Sequence, residues 1–333
     1  MAVIRDMMPA FELFQPTSVE AAVSLLGEHG DDAWVLAGGL DSLEWFKDRV
    51  KKPRVVVDIN GIENLRSIEV TENGLEIGAM ATLNQVAKHE TVKSNYSILA
   101  KAAGLVATPQ IRNQGTIGGN VAQDTRCWYY RSGWPCYRAG GNVCYASSPT
   151  AMNREHCVLG ASRCVAVNPS DTAPALITLG AQFVINGPRG ERVIEAEEFF
   201  MKPSVDITKM NVMGDGDLLT SIRLPAEWSG ARYYFEKVRD RGSWDFALVN
   251  VASAMRMDGA NIGSARVVVN GVAPYPVRLR EVESWITGKP ANENTAHEAG
   301  EIAVRRVRPL RHNDYKVPLL RNLVKRSIRG EEA

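Results

Sequence analysis

All five cysteines of this 333-residue chain, Cys127, Cys136, Cys144, Cys157 and Cys164, fall inside one window of 38 residues. The spacing is C-x8-C-x7-C-x12-C-x6-C. A disulfide framework fits poorly, because the number is odd and nothing in the sequence points to export. The N-terminal run from Met1 to Pro9 has neither the basic flank nor the apolar stretch of a signal peptide. A cytoplasmic protein is therefore expected, and in that setting such a cluster more often means a metal.

The window lacks the short C-x2–4-C pairs with which structural zinc sites grip one ion from a single knuckle. Long, irregular spacings suit a loop wrapped around a larger object. A 4Fe–4S cluster draws four thiolates from separate turns, leaving one cysteine spare. Trp128, Tyr129, Tyr130 and Trp134 supply aromatic shielding, and Gly140 with Gly141 supplies flexible turns. Zinc and unliganded buried thiols remain the alternatives.

The rest of the chain reads as two or three domains. Ser18–Gly30 has helical spacing, with Ser18 as N-cap and Gly30 as the stop. A strand at Trp34–Ala37, a Gly38-Gly39 turn, a helical run from Ser42 to Val50 and a strand at Val55–Ile59 complete a small α/β unit. Strand-like patterns from Ser67, helical segments at Leu83–His89 and Ile98–Val106, and a glycine-rich stretch at Gln110–Asn120 lead into the cysteine window. Beyond it come a helix at Asp171–Gly180, a hairpin across Gln182–Ile194 and a strand at Leu218–Leu224. A composition shift at Pro225–Gly230 marks a boundary. Strands at Arg232–Val238, Ala247–Met257 and Ile262–Val272, then two helical segments, indicate an α+β domain. The last helix, Lys316–Ile328, has an apolar stripe expected to pack on that domain.

Two loops concentrate glycine: Leu36-Ala-Gly-Gly-Leu-Asp-Ser42 and Arg112-Asn-Gln-Gly-Thr-Ile-Gly-Gly-Asn120. Neither is G-x-G-x-x-G, so a Rossmann fold is unsupported. Glycine still lets backbone approach a diphosphate without a Cβ in the way, and consecutive N–H groups in such turns bind anions. Ordinary tight turns are the plainer alternative.

Ala37-Gly-Gly39 with Asp41, Ile77-Gly-Ala79 with Thr82, and Arg112–Asn120 together resemble the FAD-binding medium subunit of the xanthine dehydrogenase and carbon monoxide dehydrogenase family, the molybdenum hydroxylases. The likeness continues through Pro169-Ser-Asp171, Lys237-Val-Arg239, Asp245–Val249 and Gly271-Val-Ala273, covering essentially the whole chain in order. About fifty residues separate Asn120 from Asp171, more than in most members. This insertion resembles the flavin subunits of 4-hydroxybenzoyl-CoA reductase and aldehyde oxidoreductase, which carry an extra 4Fe–4S cluster.

The resemblance implies an α+β fold. Residues 1–226 would form a two-part FAD-binding domain of the vanillyl-alcohol-oxidase type, split near residue 60, with the iron–sulfur insertion at 121–168. Residues 230–333 would form a C-terminal domain like that of CO dehydrogenase flavoprotein. Gly38, Gly39, Leu40 and Asp41 would hug the FAD diphosphate. Gly115, Thr116, Gly118, Gly119 and Asn120 would hold diphosphate and ribityl chain. Asp171 would accept from ribityl or ribose hydroxyls, and Lys237 would lie beside the flavin. Leu36, Ala37, Ser42, Ala79 and Thr82 complete the expected cofactor contacts. Cys127, Cys136, Cys144 and Cys164 would ligate the cluster, with Cys157 departing from the pattern.

No catalytic group is expected on the chain itself. The five histidines show no metal-binding spacing and read as surface or capping residues, and no Ser/His/Asp arrangement emerges. The implied role is an electron relay between a molybdenum-cofactor large subunit, a 2Fe–2S small subunit and an external carrier such as ferredoxin. A net charge of +1 gives no reason to expect nucleic acid, and no apolar run approaches bilayer length. The competing readings are a free-standing flavoprotein oxidase and a non-catalytic zinc-binding protein.

Overall fold

A computed structural model describes residues 8–330, so the segment read above for an export signal lies almost wholly outside it. Three sheets organise the chain. The first belongs to the small N-terminal unit: strands β1 (Glu12–Phe14), β2 (Ala33–Leu36) and β3 (Val55–Asp58), with helices α1 (Val19–His29) and α2 (Ser42–Lys47). Its order is β1-β3-β2 and both pairings are parallel. Central β3 is covered on both sides, which is why it is the uninterrupted valine run Val55–Val57. The Ser18 hydroxyl caps α1 by accepting from the Ala21 N–H at 3.2 Å, and Gly30 ends it at φ +49°.

The second sheet contains β4 (Ile68–Thr71), β5 (Gly74–Gly78), β6 (Gln182–Gly187), β7 (Gly190–Glu195) and β8 (Leu218–Pro225), all antiparallel in the order β4-β5-β8-β6-β7. On it pack α3 (Leu83–Lys88), α4 (Glu90–Asn95), α5 (Ser97–Gly104), α7 (Ile117–Ala122), α9 (Thr172–Thr178) and α10 (Ala196–Phe199), and α6 (Pro109–Gln114) rests against α3. The insertion contributes only α8 (Trp128–Arg131) and isolated helical turns.

The glycine-rich stretch Gln110–Asn120 is a correction to the loop expectation: it is mostly helical, α6 and α7 with Gly115-Thr116 between them. Local chemistry explains this. Thr108 caps α6 with Pro109 in its first turn, and Thr116 caps α7 through the Gly119 N–H at 3.0 Å.

The third sheet, β9 (Arg232–Val238), β10 (Val249–Asp258), β11 (Asn261–Asn270) and β12 (Val277–Arg278), is antiparallel and ordered β12-β11-β10-β9. The two-residue alternation of a strand splits its side chains between two cores. Phe235, Ala252, Ala254 and Val268 join the core of the second sheet. Val249, Val251, Met255, Val267 and Val269 pack with α11 (Arg280–Ile286), α12 (Glu293–Val304) and α13 (Lys316–Arg329). Three helices stand where two are expected. The missed one, α11, has seven residues, too few to display a clear 3.6-residue period. Leu320, Leu323, Val324 and Ile328 bury the apolar stripe of α13 in this domain. The mixed helix-and-sheet architecture agrees with the α+β expectation.

Candidate functional site

A cavity of about 470 Å³ opens where the first glycine loop, α7, the start of the insertion and the β9–β10 loop meet. Of the expected cofactor contacts, Ala37, Gly38, Gly39, Leu40, Asp41, Ser42, Ala79, Gly115, Thr116, Gly118, Gly119, Asn120 and Asp171 line it. Leu36, Thr82 and Lys237 do not.

The first loop is held from behind. Asn60 Nδ2 donates to the Ala37 carbonyl at 2.8 Å, and Asn60 in turn rests on Asp58. A Cβ on Gly38 would stand 2.4 Å from the Gln114 carbonyl oxygen, so this position requires glycine for closeness alone. Gly39 turns the chain at φ +75°. Among the described residues, no protein acceptor takes the backbone N–H groups of Gly38 to Ser42. These donors remain free for an anionic ligand.

The second loop works differently. Here the backbone donors are already used: Ile117 N–H to the Ala81 carbonyl, Gly118 N–H to Ala79, Gly119 N–H to Thr116 Oγ1 and Asn120 N–H to Thr116. Its glycines make room. A Cβ on Gly118 would meet the Ala79 carbonyl oxygen and Cβ at 2.8 Å. Thr82 ties the loop down: it forms a capping box with Gln85 on α3 and bridges to Thr116, while the Leu83 N–H donates to the Gly115 carbonyl at 2.8 Å. Asn120 Oδ1 is used structurally, accepting from the Ser170 and Thr172 hydroxyls at 2.7 and 2.6 Å.

Asp171 and Lys237 form a buried ion pair at 2.5 Å, their side chains 3% and 1% exposed. Lys237 Nζ also donates to the Leu105 carbonyl, and Asn250 donates to the other Asp171 oxygen. Burial pushes the Asp171 carboxyl above its ordinary range, and Lys237 pulls it back. The resemblance leads to an expectation of two separate ligand contacts. The structure joins them, with Asp171 at the cavity wall and Lys237 behind it.

The insertion brings all five thiols into one another's electrostatic field: Cys127 with Cys144 and Cys164, Cys164 with Cys136, and Cys157 with Cys144 and Cys164. None is disulfide-bonded. Burial pushes Cys127 and Cys157 up to about 12, and Cys164 also upward. Backbone N–H groups of Tyr130 and Tyr129 act on the Cys127 sulfur in the opposite sense, as does Ala166 on Cys164. Among the described residues no three His, Cys, Asp or Glu side chains gather so as to hold a single metal ion.

His156 corrects the reading of the histidines as surface or capping residues. It is 4% exposed, with Nε2 3.3 Å from the Cys127 sulfur. Burial, with Lys316 adding to it, drives its pKa down to about 4, so the ring is neutral. Spacing alone cannot show a histidine folding back to a cysteine 29 residues away.

Several cavity residues have no sequence signal: Val106, Met210 and Trp244 line it from remote segments, and Phe246 joins them from the Asp245–Val249 motif, where it is not expected as a cofactor contact. Trp244, a non-glycine residue at φ +60°, is fixed by its N–H donating to the carbonyl of Ala107, itself at φ +41°. Asp124, Arg126 and Arg138 reach the cavity from the insertion.

Residues 9–227 match the family described as the FAD binding domain in molybdopterin dehydrogenase, and residues 233–330 match the CO dehydrogenase flavoprotein C-terminal domain. The chain is 31% identical to the carbon monoxide dehydrogenase medium chain of Hydrogenophaga pseudoflava over 325 residues, 96% of each chain. It is 34% identical to the aldehyde oxidoreductase FAD-binding subunit of Escherichia coli K12, covering 84% of this chain and 87% of that one. The solved carbon monoxide dehydrogenase of H. pseudoflava superposes with a TM-score of 0.77 at 29% identity, over 97% of both chains.

Proposed function

This chain belongs to the family of FAD-binding medium subunits of the molybdenum hydroxylases, and from that premise we propose that it relays electrons through FAD and a 4Fe–4S cluster. The FAD site is the cavity described above. The observation that carries this reading is the pairing of two loops: one offers unpaired backbone N–H groups, the other packs glycine against β5 and clears the space beside them. Both features suit a diphosphate held by main chain. Bound FAD supplies the exchange of one or two electrons; the protein supplies binding, orientation and electrostatics.

The residues act in distinct ways under this proposal. Gly38 to Ser42 donate to the diphosphate. Thr116, Gly118 and Gly119 shape the wall, with Thr82 and Leu36 supporting from behind. Asp171 lines the cavity wall while Lys237 fixes its orientation and charge.

For the cluster we propose Cys127, Cys136, Cys144 and Cys164. The thiols lie in one insertion and act on one another electrostatically, as the thiolates of one cluster would. Backbone N–H groups aimed at Cys127 and Cys164 suit sulfurs that carry negative charge. Tyr130 packs with both Cys136 and Trp45, and Trp45 lines the flavin cavity, so thiols and cavity are near neighbours. The proposed partners are a molybdenum-cofactor large subunit and a 2Fe–2S small subunit, with ferredoxin or a similar carrier outside, in the cytoplasm. Among the described residues no helix is long and apolar enough to cross a membrane.

The test is an absorption spectrum of anaerobically purified protein with FAD, iron and zinc quantified per chain. One FAD and four irons support the proposal. FAD without iron removes the cluster and keeps the flavin role, and zinc without flavin overturns both.

A further inference from the structure

We propose that the cysteine-bearing insertion is a working part of the flavin site, because Arg126 and Arg131 clamp the first glycine loop and cancel its acidic charge. The problem they solve is electrostatic. The loop that offers its N–H groups also carries Asp41, which lines the cavity, and Glu44 stands one helical turn on. Two carboxylates beside a doubly charged diphosphate oppose its binding.

Both guanidiniums that answer this charge come from the insertion. Arg131 Nη2 donates to Asp41 Oδ1 at 2.7 Å, and Arg126 Nη2 stands 3.1 Å from the same oxygen. Arg126 also donates to Glu44 Oε2 at 2.9 Å, and Arg131 stands 3.8 Å from it. The remaining Asp41 oxygen accepts from Trp45 Nε1 at 3.2 Å. Arg131 is locked further: its guanidinium lies 3.6 Å from the Trp45 ring centroid, and Nε donates to the Thr125 carbonyl. Its side chain is 13% exposed and that of Asp41 23%, so the pair is shielded from solvent more than a surface pair would be.

Two consequences follow. Asp41 is neutralised by these two arginines only while the insertion is folded in place. The two arginines flank Cys127 in sequence, so whatever orders the thiols also orders the flavin loop. This inference rests on the reading of the cavity as an FAD site. Arg126 and Arg131 are positioning residues in it, acting through Asp41.

The experiment measures FAD binding to the flavin-stripped full chain by fluorescence titration. Arg131→Leu is expected to weaken binding at least about tenfold, because it removes the nearer guanidinium from Asp41 and leaves Arg126 alone against two carboxylates beside the diphosphate. Adding Asp41→Asn to that variant is expected to recover much of the loss, since one of those two charges is gone. A merely structural role for Arg131 would leave the double variant as weak as the single one. Arg131→Lys keeps the charge without the fork and the ring stack, and is expected to fall between wild type and Arg131→Leu. It also serves should Arg131→Leu fail to fold. Arg154→Ala removes an exposed ion pair with Asp240 elsewhere in the insertion and is expected to bind FAD as wild type does. Unchanged affinity in Arg131→Leu, or no recovery in the double variant, overturns the clamp. Failure of the wild-type chain to bind FAD overturns the underlying reading instead.

Discussion

Gly38 and Gly118 are where a single methyl group decides the site. Gly38→Ala would drive a Cβ to 2.4 Å from the Gln114 carbonyl oxygen, a backbone atom that cannot step aside like a flexible side chain. The expected result is a destabilisation of about 1–3 kcal/mol, as for overpacking elsewhere, together with weaker FAD binding, read by thermal melting and flavin titration. The Asp171–Lys237 pair makes a different demand. Lys237→Met leaves a buried carboxylate without its partner, at a cost of about 3–5 kcal/mol by analogy with other buried pairs. Lys237→Met with Asp171→Asn is expected to regain most of that, measured by denaturant unfolding. Among the thiols, Cys164→Ser is expected to lower the iron content of anaerobically purified protein and Cys157→Ser to leave it near wild type. Equal loss in both would move Cys157 into the ligand set. These residues differ in how readable they were. The glycine loops could be found from composition, but the Asp171–Lys237 contact joins positions 66 apart and no local pattern announces it.

At the level of elements, the C-terminal helix α13 does more than fill a core. Its first residue, Lys316, is fully buried and donates to the Gly271 carbonyl at 2.7 Å and the Glu155 carbonyl at 3.0 Å. One ammonium thereby ties α13, the end of β11 and the insertion together. Burial depresses its pKa to about 8. Between that value and the ordinary lysine range near 10.5, the unfolded chain binds a proton that the folded chain does not, so the contribution of Lys316 to stability rises with pH across that window and is lowest below pH 8. The stability difference between wild type and Lys316→Met is expected to shift in favour of wild type by a few kcal/mol from pH 8 to 10.5. A flat difference would contradict the assignment. The amphipathic stripe of α13 was plain in the sequence, because four apolar residues recur at helical spacing. The buried lysine ran against pattern, since lysine normally marks a solvent face. The helical nature of Ile117–Ala122 is masked by Gly118 and Gly119, and that of Pro109–Gln114 by its shortness, although the capping threonines carry the signal.

Across the whole molecule, segments from all three sheets converge on one cavity. The N-terminal sheet brings free N–H donors, the second sheet brings a cleared glycine wall, and the β9–β10 loop brings Trp244 and Phe246. The order of motifs made this convergence legible, since each lies at the end of a strand or the start of a helix. The insertion was legible only as a cluster of thiols. Its grip on Asp41 and the burial of His156 depend on tertiary folding of a segment with little regular structure. The central claim is that this convergence is an FAD site. The most direct measurement titrates the flavin-stripped chain with FAD, for wild type and for Gly118→Val, with circular dichroism confirming that both are folded. The expected result is saturation at one FAD per chain for wild type and a large loss of affinity for the variant, whose added side chain would collide with Ala79. A wild-type chain that takes up no FAD, or a folded variant that binds it equally well, would contradict the account.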